Sequence, residues 1–149
     1  THGANFPKHM IHLAKEQSQL KVVDDQVGAP TSAELIADVT SLCLHRIAQN
    51  DTSAQNMIGT YHITPAGETS RHGYTKFIIT EMQRLGSKFR TVSENIVPIS
   101  TSEYPQPAMR PSNSLLDTQK LRETFNISLP PWQFHVHRLI KELRLQETR

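Results

Sequence analysis

The chain has 149 residues, of which 36% are hydrophobic, 20% charged and 6% aromatic; that length and mixture suit one folded domain. Sixteen basic against fourteen acidic residues leave a formal charge of +2, too weak and too evenly spread to argue for nucleic acid. No apolar run approaches the ~18–20 residues of a membrane span, and a single cysteine, with no internal disulfide to form, fits a reducing cytoplasm.

Residues 1–4 show neither the basic n-region nor the apolar h-region of a signal peptide, and a first residue of threonine fits a piece of something longer. Phe6, Met10, Leu13 and Ala14 recur at helical spacing, which predicts an amphipathic helix over residues 6–19. Residues 20–24 read as a short strand and residues 26–30 as a loop. Thr31 or Ser32 can cap the helix that follows, with Leu35, Ile36, Val39, Leu42, Cys43 and Ile47 on one face. Residues 50–56 are polar and read as a surface loop. The β-branched and aromatic run Ile58 to Ile63 reads as a strand.

A turn at residues 65–68 leads to Thr69 or Ser70 as the next cap. Tyr74, Phe77, Ile78, Met82 and Leu85 then form a helical stripe that Gly86 stops. Residues 96–99 make a third strand, with Pro98 marking an edge or a strand end. Residues 98–111 read as a loop rich in proline and hydroxyl groups. Asp117 can cap a short helix holding Leu121 and Phe125. Pro131 suits the first turn of a last helix that buries Val136, Leu139, Ile140 and Leu143. Helices alternate with strands, so the predicted class is α/β.

Few constellations carry chemistry. The six glycines stand singly and no G-x-G-x-x-G occurs, so no dinucleotide cradle is recognisable and no cofactor-binding residue is assigned. None of Tyr61, Tyr74 and Tyr104 has a lysine four residues later, and no nucleophilic triad stands out, so no catalytic residue is assigned either. His9 and His12 lie one helical turn apart, but no third ligand completes a set; a helix surface explains them as well. His135 and His137 fall on different sides of their helix. Cys43 lies on an apolar stripe as a small core residue, and Arg138, Lys141 and Arg144 read as a solvated face rather than an anion patch.

Two loops are more informative. Residues 25–31 place polar groups, then Gly28 and Pro30, between a strand end and a capped helix, the usual place for ligand groups in α/β folds. Residues 108–114 combine the Arg110 guanidinium with amide and hydroxyl donors, a set suited to a diphosphate or sugar hydroxyls. Each loop also has a plain structural explanation, as a tight connection or a pinned proline-rich segment.

Val22 to Thr31, then Ala33 to Asp38, resemble the mid-chain signature of the dTDP-4-dehydrorhamnose reductase family. Gly59-Thr60-Tyr61-His62 with Gly67-Glu68-Thr69-Ser70 is similar to its next block. Tyr104-Pro105, Pro107-Ala108, Arg110-Pro111, Asn113-Ser114 and Leu129-Pro130 with Trp132 match its C-terminal blocks in order and spacing. The resemblance covers essentially all of residues 1–149, but only the second half of the family. It implies the C-terminal, substrate-side portion of an extended short-chain dehydrogenase (Rossmann-type) fold, lacking the N-terminal dinucleotide-binding half.

That resemblance implies a cytoplasmic parent enzyme reducing dTDP-4-dehydro-L-rhamnose to dTDP-L-rhamnose with NAD(P)H. A tyrosine whose pKa is lowered by a lysine supplies the proton, and both lie upstream of the position matching Thr1. The two loops then offer Gln26, Arg110 and Asn113 as substrate-binding residues, and the resemblance implies the dTDP-sugar and the missing Rossmann half as partners. It further implies a homo-oligomer, with Glu34 and Glu142 as Mg²⁺ ligands between subunits. The bland reading of those two is a first-turn carboxylate favoured by its helix dipole and a solvated surface residue. On the same grounds the chain alone is expected to be inactive, to hold no cofactor tightly, and either to self-associate or to be less stable than its parent. The rival class is a non-catalytic interaction module resembling the regulatory β subunit of methionine adenosyltransferase. One position departs from the family: Arg71 stands where a tryptophan is usual, which removes apolar area from whatever that residue packs on.

Overall fold

The computed structural model describes residues 5–49, 54–104 and 107–147, so Pro105 of one sequence block and residues 50–53 of the polar loop expected over 50–56 lie outside the described residues. Helix α1 spans Phe6–Glu16, three residues shorter than the periodicity predicts. Asn5 caps it by accepting from the Lys8 amide at 3.1 Å, and Pro7 sits where an N–H is not needed. Strand β1, Leu20–Val23, pairs in parallel with β4, Ile96–Ile99, and Asp24 extends the ladder by donating to the Ile99 carbonyl at 2.9 Å. Pro98 is tolerated because this two-stranded sheet leaves each strand an open edge.

Helix α2 spans Ala33–Ala48 and α3 spans Arg71–Arg84, and serines cap both. Ser32 Oγ accepts from Leu35 N at 3.1 Å and Ser70 Oγ from Gly73 N at 2.9 Å. Gly86, with φ +90°, ends α3 in a Schellman turn: Ser87 N donates to Met82 O and Gly86 N to Gln83 O. Helix α4, Gln119–Phe125, closes on Asn126 in the left-handed region at φ 45°. Helix α5 spans Trp132–Glu147.

The main core gathers α1, β1, α3, β4 and α5 around Ile78, Ile79, Met82 and Ile140, all but fully buried. A second cluster joins α2 to α4 through Leu35, Val39, Leu121, Phe125 and Leu129. Cys43 is half-buried against that second cluster, and burial pushes its thiol pKa up.

Several expectations are corrected. Residues 58–63 are not a strand. Their β-branched content marks an extended run, but a strand needs a neighbour, and among the described residues none lies alongside. Ile58 is instead 77% exposed, while Tyr61 and Ile63 turn into the second cluster. Conversely, the loop over 26–30 contains a strand, β2 at Val27–Gly28, antiparallel to β3 at Thr69–Ser70. Its partner lies some forty residues away, beyond the reach of local pattern. The predicted face of α2 is narrower than expected: Ile36 and Leu42 are exposed. Asp117 stands one position before the α4 cap, where its carboxylate accepts from Gln119 N at 2.8 Å. Pro131 precedes α5 and bridges to Ala66 instead of entering the first turn.

Candidate functional site

Both informative loops meet at one cleft. The β2 strand is pinned on one side by β3 and on the other by the 112–114 segment. There Val27 N donates to Ser112 O at 2.8 Å and Ser114 N to Val27 O at 2.9 Å. Gly28 is needed for this approach, since a Cβ there would lie 2.6 Å from Ser114 Oγ, which itself donates to Val27 O at 3.0 Å. Gly28→Ala is therefore expected to turn Ser114 away and forfeit that bond, lowering stability by about 1 kcal/mol. Urea unfolding of the variant checks this, and an unchanged midpoint would contradict it.

The cleft has two lobes. One, about 470 Å³, lies over β2 and the start of α3; the other, about 860 Å³, lies between α1, β1 and residues Thr101, Tyr104 and Ala108 to Arg110. Phe6, Gln26, Arg71 and Arg110 line both and so form the waist between them. An aromatic series reaches this waist from the core. Phe77 meets Trp132 edge-on at 4.9 Å, Trp132 meets Tyr74 edge-on at 5.8 Å, and Tyr74 stacks on Phe6 at 5.7 Å. Arg71 then lies over the Phe6 ring, 5.4 Å from its centroid. The apolar area that an arginine fails to supply at this position is replaced by a cation–π contact.

A chain of hydrogen bonds fixes the polar side of the waist. Arg71 Nε donates to Gln26 Oε1 at 3.1 Å, and Gln26 Nε2 donates to Thr101 Oγ1 at 3.1 Å. Thr101 Oγ1 donates to Asp25 Oδ1 at 2.5 Å, and its backbone N–H lies 3.0 and 2.9 Å from the two Asp25 oxygens. Since arginine can only donate, the Gln26 amide has one usable orientation. The Thr101 bonds hold the Asp25 carboxyl below its ordinary pKa. A lowered folded-state pKa contributes stability above the unfolded value, lost as pH falls through the folded one. The thermal-midpoint gap between wild type and Asp25→Asn is thus expected to be full at neutral pH and to close on acidification below about pH 4. A gap unchanged down to strongly acidic pH would contradict this.

Beside the cleft, Ser70 Oγ donates to Asp24, whose carboxylate also faces His72 Nδ1 at 3.4 Å. His72 Nε2 donates to the Ile96 carbonyl at 2.9 Å, tying the start of α3 to β4. Desolvation, and then the neighbouring charge of Arg110, lower the Arg71 pKa, while burial pushes the Tyr74 hydroxyl up to about 12.

Of the residues expected to bind substrate, Gln26 and Arg110 line both lobes. Asn113 stands next to the cleft, with Oδ1 accepting from Leu115 N at 2.8 Å, and it is Ser114 that reaches the lining. Glu34 and Glu142 line a separate cavity of about 420 Å³ between α2 and α5. Arg138 pairs with Glu142 at 3.5 Å and its charge helps lower the Glu34 pKa, after the stronger effect of the Glu34 backbone amide. Among the described residues no three His, Cys, Asp or Glu side chains group to hold a metal. His9 and His12 are exposed, and His12 faces Glu16 at 3.5 Å. His135 is buried with Nδ1 unpartnered, whereas His137 faces Glu81 at 3.3 Å. On α5, Arg144 differs from the solvated face expected of it: its Nε donates to Leu85 O at 3.1 Å, at the end of α3.

In the sequence Phe6 and Tyr74 belong to apolar helical stripes, and Arg71 shows only as a departure from the family. The available signal was a charged residue directly after a Thr-Ser cap, where the side chain must project beside the preceding strand.

The family described as the RmlD substrate binding domain matches residues 1–145. The dTDP-4-dehydrorhamnose reductase of Burkholderia thailandensis is 40% identical over 144 residues, covering 97% of this chain and 48% of that protein. The reductase of Shigella flexneri is 43% identical over 141 residues, covering 95% and 45%. Among solved structures, the dTDP-4-dehydrorhamnose reductase of Bacillus anthracis in complex with NADP superposes with a TM-score of 0.75 at 30% identity, covering 95% of this chain and 44% of that one. An orthologue from Clostridium acetobutylicum gives 0.72 at 33%, covering 95% and 45%. The chain thus spans about half the length of the relatives it matches, and its mixed α/β architecture is that of their substrate-binding portion. By the match over residues 1–145, the chain belongs to the RmlD substrate-binding-domain family.

Proposed function

We propose that this chain is the nucleotide-sugar-binding portion of a cytoplasmic NAD(P)H-dependent dTDP-4-dehydrorhamnose reductase, and that the two-lobed cleft takes the dTDP-linked sugar. The observation that carries the reading is the waist at Gln26, Arg71 and Arg110, where guanidinium and amide groups stand between two lobes of a size suited to a small organic ligand. The names of the relatives support the activity. In this reading the chain's own residues bind and orient the sugar nucleotide. Hydride and proton donors come from the dinucleotide-binding half.

Mg²⁺ enters this reading only through ligands from outside a single copy. Within one chain Arg138 already serves the two carboxylates, and two oxygens fall short of the octahedral set Mg²⁺ prefers. A homo-oligomer that brings two copies of the Glu34–Glu142 face together would supply the remainder. No observation favours the non-catalytic module over the reductase.

The test is a chimera in which residues 1–145 replace the matching portion of the Burkholderia thailandensis reductase. NADPH oxidation dependent on dTDP-4-dehydro-L-rhamnose supports the reading. A folded chimera that binds NADPH yet turns over no sugar nucleotide would overturn it.

A further inference from the structure

Arg71 and Arg110 share the waist of the cleft, and among the described residues no carboxylate pairs with either. Arg71 is half-buried and is held from two sides, by the Phe6 ring and by the Gln26 amide. That amide is braced in turn through Thr101 by Asp25, whose negative charge lies at the far end of the hydrogen-bond chain. The arrangement fixes a cation beside a second cation. Like charges drawn together in a partly desolvated site repel, and an anion between them reverses the sign of that interaction.

We propose that Arg71 and Arg110 form a two-guanidinium receptor for the diphosphate of the nucleotide sugar, with Arg71 setting selectivity for diphosphate over monophosphate. This rests on the nucleotide-sugar reading of the cleft and deepens it.

Position argues for the diphosphate. In a nucleotide sugar the diphosphate links two bulky groups, and these guanidiniums line both lobes. Chemistry agrees. Each guanidinium presents a planar fork of donors that matches phosphate oxygens, so two forks serve two phosphoryl groups better than one. Arg71 spends only Nε on Gln26, which leaves its terminal nitrogens for a ligand. Its hold on Phe6 and Gln26 limits the side-chain freedom lost on binding.

Calorimetric titration of the 149-residue chain with dTDP, dTMP, thymidine and pyrophosphate tests the proposal, alongside the variants Arg71→Gln and Arg71→Lys. Wild type is expected to prefer dTDP to dTMP. Arg71→Gln is expected to weaken dTDP and pyrophosphate about ten- to a hundredfold and dTMP far less, with Arg71→Lys between. The slope of affinity against salt concentration is expected to fall in Arg71→Gln, a change that loss of packing alone would not produce. Urea unfolding of both variants confirms that they fold. If wild type binds dTDP and Arg71→Gln binds it equally well, the receptor is overturned while the nucleotide-sugar reading stands. If pyrophosphate binds in an Arg71-dependent way but dTDP binds no tighter, the receptor stands and the nucleotide reading fails. Binding of neither overturns both.

Discussion

NADPH titrated into the 149-residue chain is expected to give no stoichiometric site, and the chain is expected to reduce dTDP-4-dehydro-L-rhamnose at least ~10²–10⁴-fold more slowly than a complete reductase. The first half of this expectation follows from the glycines. Close approach of backbone amides to a pyrophosphate needs them clustered at a strand-to-helix turn, and here they stand singly. The one built for close approach in the cleft, Gly28, is used against Ser114. The second half follows from the tyrosines. Tyr74 faces the cleft, but burial pushes its hydroxyl up to about 12, opposite to the shift that a proton donor at neutral pH requires. Tyr61 donates its hydroxyl to Met57 O at 2.8 Å, inside the second cluster. Tyr104 carries no lysine four residues on. A single-site isotherm with NADPH would contradict this account.

Replacing Trp132 with alanine is expected to destabilise the fold by about 3–5 kcal/mol, a large share of the ~5–15 kcal/mol typical of a domain. Trp132 is buried at the start of α5, touches Tyr74 and Phe77 through its ring, and packs against the Gly67 turn. Its backbone N–H donates to Ala66 O at 3.0 Å, which joins that turn to the helix. The loss would reach the cleft as well, because Tyr74 stacks on Phe6 and Phe6 supports Arg71. Urea unfolding should show a lowered midpoint with an unchanged slope. A shift worth less than ~1 kcal/mol would show that the aromatic series is dispensable.

The helices were legible because each carries its own signal. Ser32 and Ser70 cap, Gly86 stops, and the Tyr74 to Leu85 stripe repeats at 3.6 residues. The parallel strands were legible from their Val and Ile content, since both are largely buried. What failed depends on partners distant in sequence. Residues 58–63 have strand chemistry without a strand beside them, and β2 has a strand beside it without strand length. At the site, Gln26 and Arg110 were visible as polar groups in loops of the right kind. Arg71 was not, because its role depends on Phe6, sixty-five positions earlier, and on a relay that ends at Asp25.

In the proposed function a dTDP-linked sugar occupies the cleft around Gln26, Arg71 and Arg110. Amide chemical-shift mapping of the ¹⁵N-labelled chain during titration with dTDP-L-rhamnose tests it most directly. Saturable shifts are expected at Gln26 to Gly28, Ser70, Arg71 and Arg110, with the α2 face from Ile36 to Leu44 unmoved. Saturable shifts centred on α2, or none at millimolar ligand, would contradict it.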